Sequence, residues 1–349
     1  MGVFYISFTL VMIFGFLMKA FNPENWKKPF CIVSGLVYWI IAGCRSYYVG
    51  ADTLYYTKMF VSIATEDLDY AWDYLDKDKF YAVLVWLVSR FTDEYTVFFF
   101  IVAAIFGFSV WFYIYKYSQD PILSVIILFA FNFYQFSLTG FRQVIAMSLV
   151  LLGIVALKRD KPILAAVWFG LASLFHLSAL STMILIVFKY IKLTKGLLWT
   201  TVPILGLVFL LRSRVANMLI FLVSDRGYSV NDKNSGVTMT LVVLAVYIIC
   251  VAVSNDFIEK NKNFNLDFWI VIIGVFFQLL TPAQAIFFRV GFYFIITYVT
   301  FVPNVIMSVK DQSERLVLNY SLYILLSVQY LFFTMRGGSI SEYIPFWQV

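Results

Sequence analysis

The 349-residue chain is 62% hydrophobic and 13% charged, with a mean hydropathy of +0.85, whereas soluble domains carry about a quarter charged residues. A soluble globular domain is excluded, and an all-α polytopic membrane protein is expected. The net charge of +6 sits largely in a few short gaps, so it reports topology and argues against a nucleic-acid partner.

In chain order, apolar runs occupy about 2–18, 30–44, 95–115, 121–138, 140–157, 162–175, 177–190, 196–211, 237–254, 266–281, 286–309 and 316–334, which predicts about twelve spans. The first run has no basic segment before it and no small-residue cleavage site after it, so it reads as a retained span. Basic residues gather in alternate gaps: Lys19, Lys27 and Lys28; Lys116; Lys158, Arg159 and Lys161; Lys189, Lys192 and Lys195; Lys260 and Lys262; Lys310 and Arg315. If each run crosses once, all of these fall on one side, which the positive-inside rule makes the cytoplasm, with both termini outside.

Two segments bear on this count together. Residues 79–91 are too short to span and are expected to form an interfacial or re-entrant helix within an extracytoplasmic loop of residues 45–94. Residues 162–190 are expected as two short runs, not as one helix of about 43 Å, because the alternative pairing places Lys158, Arg159 and Lys161 outside. No soluble domain, Gly/Ser linker or repeat interrupts the chain, so residues 1–349 read as a single membrane domain. The three cysteines, Cys31, Cys44 and Cys250, have no metal spacing and read as packing residues.

Function is sought on the outer face, where the sequence places Arg45, Asp52, Arg90, Arg142, His176, Arg212, Arg214, Arg226, Arg289 and Arg336. Arginine dominates there, and guanidinium forks suit bidentate capture of phosphate oxygens. The plain alternative is that these side chains snorkel to the interface or pair with Asp52, Asp225 or Asp232. Arg142 in GFRQVIAM and Arg289 in FFRVGFYF open predicted helices, where backbone N–H groups also favour an anion. His176, the only histidine, is embedded in the apolar stretch LASLFHLSAL; it reads either as a packing residue or as a proton-transfer group at membrane depth. Asp52 in VGADTLYY is a second candidate base or orienter, or simply a turn cap. The alternating acids Asp67, Asp69, Asp76 and Asp78 read as a solvated face.

No phosphate-binding loop, dinucleotide fingerprint, GxSxG elbow or HExxH motif is present. Nucleotide-driven and zinc catalysis are therefore disfavoured, and an outward-facing transferase needs a donor that is lipid-linked and already activated.

Five segments in order, R-x4-GADTLYY from Arg45 to Tyr56, TGFRQVIAMSL at 139–149, LASLFHLSAL at 171–180, FFRVGFYF at 287–294 and EYIPFW at 342–347, resemble the EpsG/Wzy-type family of polysaccharide repeat-unit polymerases. The resemblance covers essentially the whole chain and implies a GT-C-like glycosyltransferase architecture with an extracytoplasmic cleft, in the bacterial cytoplasmic membrane. It implies functional roles for Arg45, Gly50, Asp52, Thr53, Tyr56, Arg142, Gln143, His176, Arg289 and Tyr293. One departure is visible: where such proteins usually have a Glu-containing start to the helix after the first loop, this chain reads DKDKFYAVL, which leaves no catalytic acid at that position unless Asp76 or Asp78 substitutes.

The implied reaction transfers a growing glycan from undecaprenyl pyrophosphate to a hydroxyl of the next lipid-linked unit, extending a capsular polysaccharide, exopolysaccharide or O-antigen. Arg142, Arg289 and Arg45 are expected at the pyrophosphate, with His176 or Asp52 as base. Gln143, Thr53, Tyr56, Tyr293, Arg212, Arg226 and Arg336 are expected around the substrates. Neither a metal nor a cofactor is expected, and the partners are lipid-linked donor and acceptor, the bilayer, and a flippase and chain-length regulator. A flippase or exporter of the same lipid, or a membrane O-acyltransferase, is the competing reading.

Overall fold

The computed structural model describes residues 2–223, 236–334 and 342–349. Its described residues are helical, with one isolated backbone bridge between Arg45 and Pro345. Helices α1 (Gly2–Phe21) and α2 (Lys27–Gly43) lead into the first loop, which holds three short helices: α3 (Thr53–Ala64), α4 (Leu68–Asp73) and α5 (Lys79–Ser89). With 11 residues, α5 is about 16 Å long, roughly half the hydrocarbon thickness of a bilayer.

The long helix α6 (Tyr95–Tyr117) is followed by α7 (Pro121–Ala130), α8 (Phe133–Ser137) and α9 (Phe141–Lys158). Asp120 starts α7 by accepting the N–H groups of Ile122 and Leu123, and Pro121 at the first position needs no partner for a missing donor. Every residue of α7 is buried, as expected of a helix apolar on all sides. The chain then breaks at Asn132, whose φ of 64° is left-handed, and again at Leu138–Gly140. These breaks free the carbonyl of Leu138 for partners outside its own helix.

Next come α10 (Pro162–Phe175), a 3₁₀ segment (Leu177–Met183), α11 (Ile184–Phe188), α12 (Lys195–Leu210) and α13 (Arg212–Val223). His176 is extended, with φ −155° and ψ 111°, so α10 stops there and a single helix over 162–190 does not form. A Cβ on Gly153 of α9 would lie 2.3 Å from the Phe169 ring of α10; the absence of a side chain lets these two helices approach closely. The remainder is α14 (Val237–Ala252), α15 (Asn255–Lys260), α16 (Phe264–Leu280), α17 (Ile286–Ile295), α18 (Tyr298–Ser308) and α19 (Gln312–Val328).

Each of the twelve apolar runs is therefore helical, yet most helices are short or broken. Among the described residues, α1, α6 and α9 are long and apolar enough to cross a bilayer. The number rises to five if the bent pairs α12–α13 (82°) and α17–α18 (47°) are each one span. The sequence pattern marks apolar stretches, but it does not show where proline, glycine or a polar residue interrupts the helix within them. An all-helical membrane protein stands, with discontinuous helices at its centre.

Candidate active site

Asp78 is the hub of the strongest polar constellation. It occupies the residue before α5 in a left-handed conformation, φ 62° and ψ 34°, and its side chain does not cap that helix, although a non-glycine residue pays for this backbone shape. Instead it reaches across to two other elements. Oδ1 accepts the Leu177 N–H at 3.0 Å, while Oδ2 accepts Arg142 Nη1 at 3.1 Å and lies 3.1 Å from His176 Nδ1. The side chains of Asp78, His176 and Arg142 are 6%, 17% and 28% exposed, so the carboxylate is sheltered and its partners reach outward.

Packing explains the convergence. Helix α10 lies against both α5 and α9, so the start of α5, the start of α9 and the break after α10 meet. Burial pushes the Asp78 carboxyl up, but the His176 ring, the Leu177 N–H and the Arg142 charge together outweigh it and hold the group below the ordinary carboxylate value. An ionised Asp78 selects the imidazole tautomer that carries its proton on Nδ1. Nε2 is then left with a lone pair, the form a base requires.

A second wall comes from α17. Tyr293 is buried, and its hydroxyl lies 3.3 Å from Ser178 Oγ in the 3₁₀ segment that follows His176. Asp78 and Arg289 both act electrostatically on Tyr293, which places Arg289 on the same side as the Asp78 cluster. Arg289 is exposed, lies near the Phe288 ring, and makes no ion pair among the described residues. Gln143 is only 3% exposed, and its Nε2 donates to the Arg289 carbonyl at 2.6 Å. It therefore ties α9 to α17, next to Arg142 in the chain and on the carbonyl of Arg289 itself.

The GADTLYY residues lie beneath this cluster. Tyr56 is buried, stacks on Phe141 at 4.7 Å with a 9° interplanar angle, and interacts electrostatically with the Arg142 side chain. Thr53 Oγ1 donates to the carbonyls of Val49 (2.8 Å) and Leu138 (3.1 Å). Arg45, 1% exposed, donates to the carbonyls of Leu138 and Ala42 and lies over the Phe99 and Phe141 rings. It thus satisfies backbone left free by the helix breaks. Asp52 is exposed; its N–H donates to Thr139 Oγ1 at 2.9 Å, and its carboxylate does not cap α3.

Arg212 sits at the 82° elbow between α12 and α13, where Nη1 donates to the Phe209 carbonyl at 3.1 Å. Arg226 and Arg336 lie outside the described residues. No group of three or more His, Cys, Asp or Glu side chains suited to a metal occurs among the described residues.

The structure thus brings together Arg142, His176, Tyr293 and Arg289, with Gln143 and Tyr56 behind them. It sets Arg45 and Thr53 into the supporting layer and leaves Asp52 outside the Asp78 hydrogen bonds. The acid at the centre is Asp78, which the sequence presents as one more charge in a solvated run. Its single distinguishing sign is its position two residues before the apolar stretch FYAVLVWLV.

Compared with known proteins, the chain is matched by the model of the EpsG family over residues 28–346. No curated protein and no solved structure matches it.

Proposed function

The chain belongs to the EpsG family, and from that premise we propose that it is a polymerase joining glycan repeat units carried on undecaprenyl pyrophosphate. A membrane-embedded, polysaccharide polymerase-like transferase is what family membership gives. The twelve-span GT-C-like arrangement, the extracytoplasmic face, the metal-independent chemistry and the capsular, exopolysaccharide or O-antigen product complete the proposal. The observation that carries it is the Asp78 carboxylate joining His176 to Arg142.

In this reading the acceptor sugar hydroxyl meets His176 Nε2, which takes its proton as the oxygen attacks the anomeric carbon of the donor glycan. The bond from that carbon to the diphosphate oxygen breaks as the new glycosidic bond forms. Asp78 keeps the imidazole oriented and stabilises the imidazolium. The diphosphate leaves with its negative charge, and Arg142 and Arg289 stabilise it. Among the described residues Arg289 pairs with no carboxylate, and Arg142 has five N–H donors, of which Asp78 takes one at Nη1. Gln143 keeps the two arginines in register by holding α17 against α9. Tyr293, itself buried, holds Ser178 of the segment after His176 from behind. Tyr56 acts on Arg142 from below, and Arg45 and Thr53 act through the backbone they support.

An exporter moves the lipid-linked unit without forming a glycosidic bond, and an acyltransferase needs an acyl donor in place of the diphosphate-linked one. The decisive experiment places purified protein in nanodiscs with a lipid-linked repeat unit and resolves the products as a ladder. Ladder formation by the wild type and its loss in His176→Gln support the proposal; transport without elongation overturns it.

A further inference from the structure

Far along the chain from Asp78, a groove of about 470 Å³ runs between α1 and α19 over the flank of α7. Phe8, Met12 and Phe16 form one wall, and Tyr320, Ile324 and Val328 form the other. These positions recur every four residues, so a single face of each helix lines the groove, over about 12 Å of helix on each side. Phe16 is 41% exposed and Ile324 is 67% exposed. Helix α1 is long and apolar enough to cross a bilayer, so the concavity along it meets hydrocarbon and takes a chain from the membrane.

One end of the groove is charged. Tyr323, a lining residue, donates its hydroxyl to Asp120 Oδ2 at 2.6 Å. The same carboxylate oxygen receives Lys19 at 3.3 Å and Asn319 at 3.0 Å. Lys19 is 38% exposed while Asp120 is 1% exposed, so the ammonium group faces out and the acid faces in. Lys27 interacts electrostatically with both of them. Lys19 is the cation paired with that carboxylate and Lys27 adds a second positive charge within its electrostatic range, leaving a net positive charge where the groove ends, on the face that the basic gaps assign to the cytoplasm.

We propose that this groove holds one hydrocarbon chain of an anionic glycerophospholipid, with the headgroup phosphate at the Lys19–Lys27 end. The site is separate from the Asp78 cluster and stands whether or not the chain polymerises glycans. Its test is native mass spectrometry of the full-length protein released from nanodiscs of equimolar phosphatidylglycerol and phosphatidylcholine. The wild type is expected to retain phosphatidylglycerol over phosphatidylcholine by about tenfold or more. Lys27→Gln, which leaves the Lys19–Asp120 pair in place, should cut that preference several-fold. Ser327→Trp, which fills the groove, should release the lipid with helix content unchanged by circular dichroism. Equal retention of the two lipids by the wild type, or an unchanged preference in Lys27→Gln, overturns the proposal. So does full retention in a folded Ser327→Trp protein, or displacement of the bound lipid by equimolar undecaprenyl phosphate, which would make this an isoprenoid site.

Discussion

Replacing Asp78 with Asn tests the centre of the proposed mechanism with the smallest change of shape. The amide oxygen can still accept the Leu177 N–H, but the side chain no longer carries the charge that Arg142 and His176 share at 3.1 Å each. An amide N–H facing Nδ1 selects the opposite tautomer, so the imidazole proton moves to Nε2 and the base is lost. The expected fall in kcat is roughly 10² to 10⁴-fold, the range for loss of a positioned general base. The fall should appear in kcat with little change in KM, since the interaction matters once the imidazolium forms. Stability should drop by only about 1–3 kcal/mol, from two charge-assisted hydrogen bonds weakened beside partly exposed partners. The assay is the initial rate of ladder formation at saturating lipid-linked repeat unit, alongside a thermal unfolding curve in the same detergent. Asp78→Glu, which keeps the charge and misplaces it by one methylene, should recover part of the rate. Wild-type turnover by a folded Asp78→Asn protein would refute the argument, because among the described residues no other group bonds His176 Nδ1.

Arg142→Lys and Arg289→Lys keep the charge and lose the fork, so each should lower turnover at least tenfold with expression intact; normal ladders from both would make these arginines anchors only. Gly50 has a φ of +110°, and a Cβ there would lie 2.6 Å from the Leu138 carbonyl oxygen. Gly50→Ala should therefore cost at least about 1–3 kcal/mol, seen as a lower thermal midpoint, and an unchanged midpoint would contradict that geometry. Because the folded-state pKa of Asp78 is depressed, its contribution to stability is present in full above the unfolded carboxyl range, near pH 4, and is lost as pH falls through the lower folded value. Acid titration of unfolding should show that loss in the wild type and a flatter limb in Asp78→Asn. In a protein freed of Cys31, Cys44 and Cys250, cysteines at positions 52, 226 and 338 should react with an impermeant reagent from outside, whereas those at 28, 160, 194 and 312 should not. Outside labelling at 160 would reverse the reading of 79–91 as a non-spanning helix.

Much of the molecule was legible in its composition because a bilayer permits few solutions: apolar runs had to be helices. Arg142 and His176 were legible too, since an ionisable group next to lipid needs a reason to be there. What joins them was not. Asp78 is 64 residues from Arg142 and 98 from His176, and local patterns cannot say which carboxylate a distant cation meets. In the run from Asp67 to Asp78 every acid looks equally solvated, and only the packing of α10 on α5 singles out one of them. Arg45 misled for the opposite reason. An arginine at a span end suggests an anion, but the break after α8 leaves backbone carbonyls that a buried guanidinium satisfies equally well. Sequence hydropathy also overstates continuity, because the break at Asn132 divides the apolar run 121–138 without changing its composition.

The segment Tyr343–Phe346 bonds backbone to backbone with Cys44 and Ser46, and the Tyr343 hydroxyl donates to the Ile41 carbonyl. Residues near one end of the chain thus complete the setting of Arg45 near the other. In biosynthesis this pairing forms late: the helices from α2 onward have to enter the membrane before their last neighbour exists. Until then the amide of Ser46 and the carbonyl of Cys44 must be served by water or by a chaperone. Residues 343–346 act as a latch on assembly, so a nascent chain can hold its helices in the bilayer well before its first loop takes its working shape.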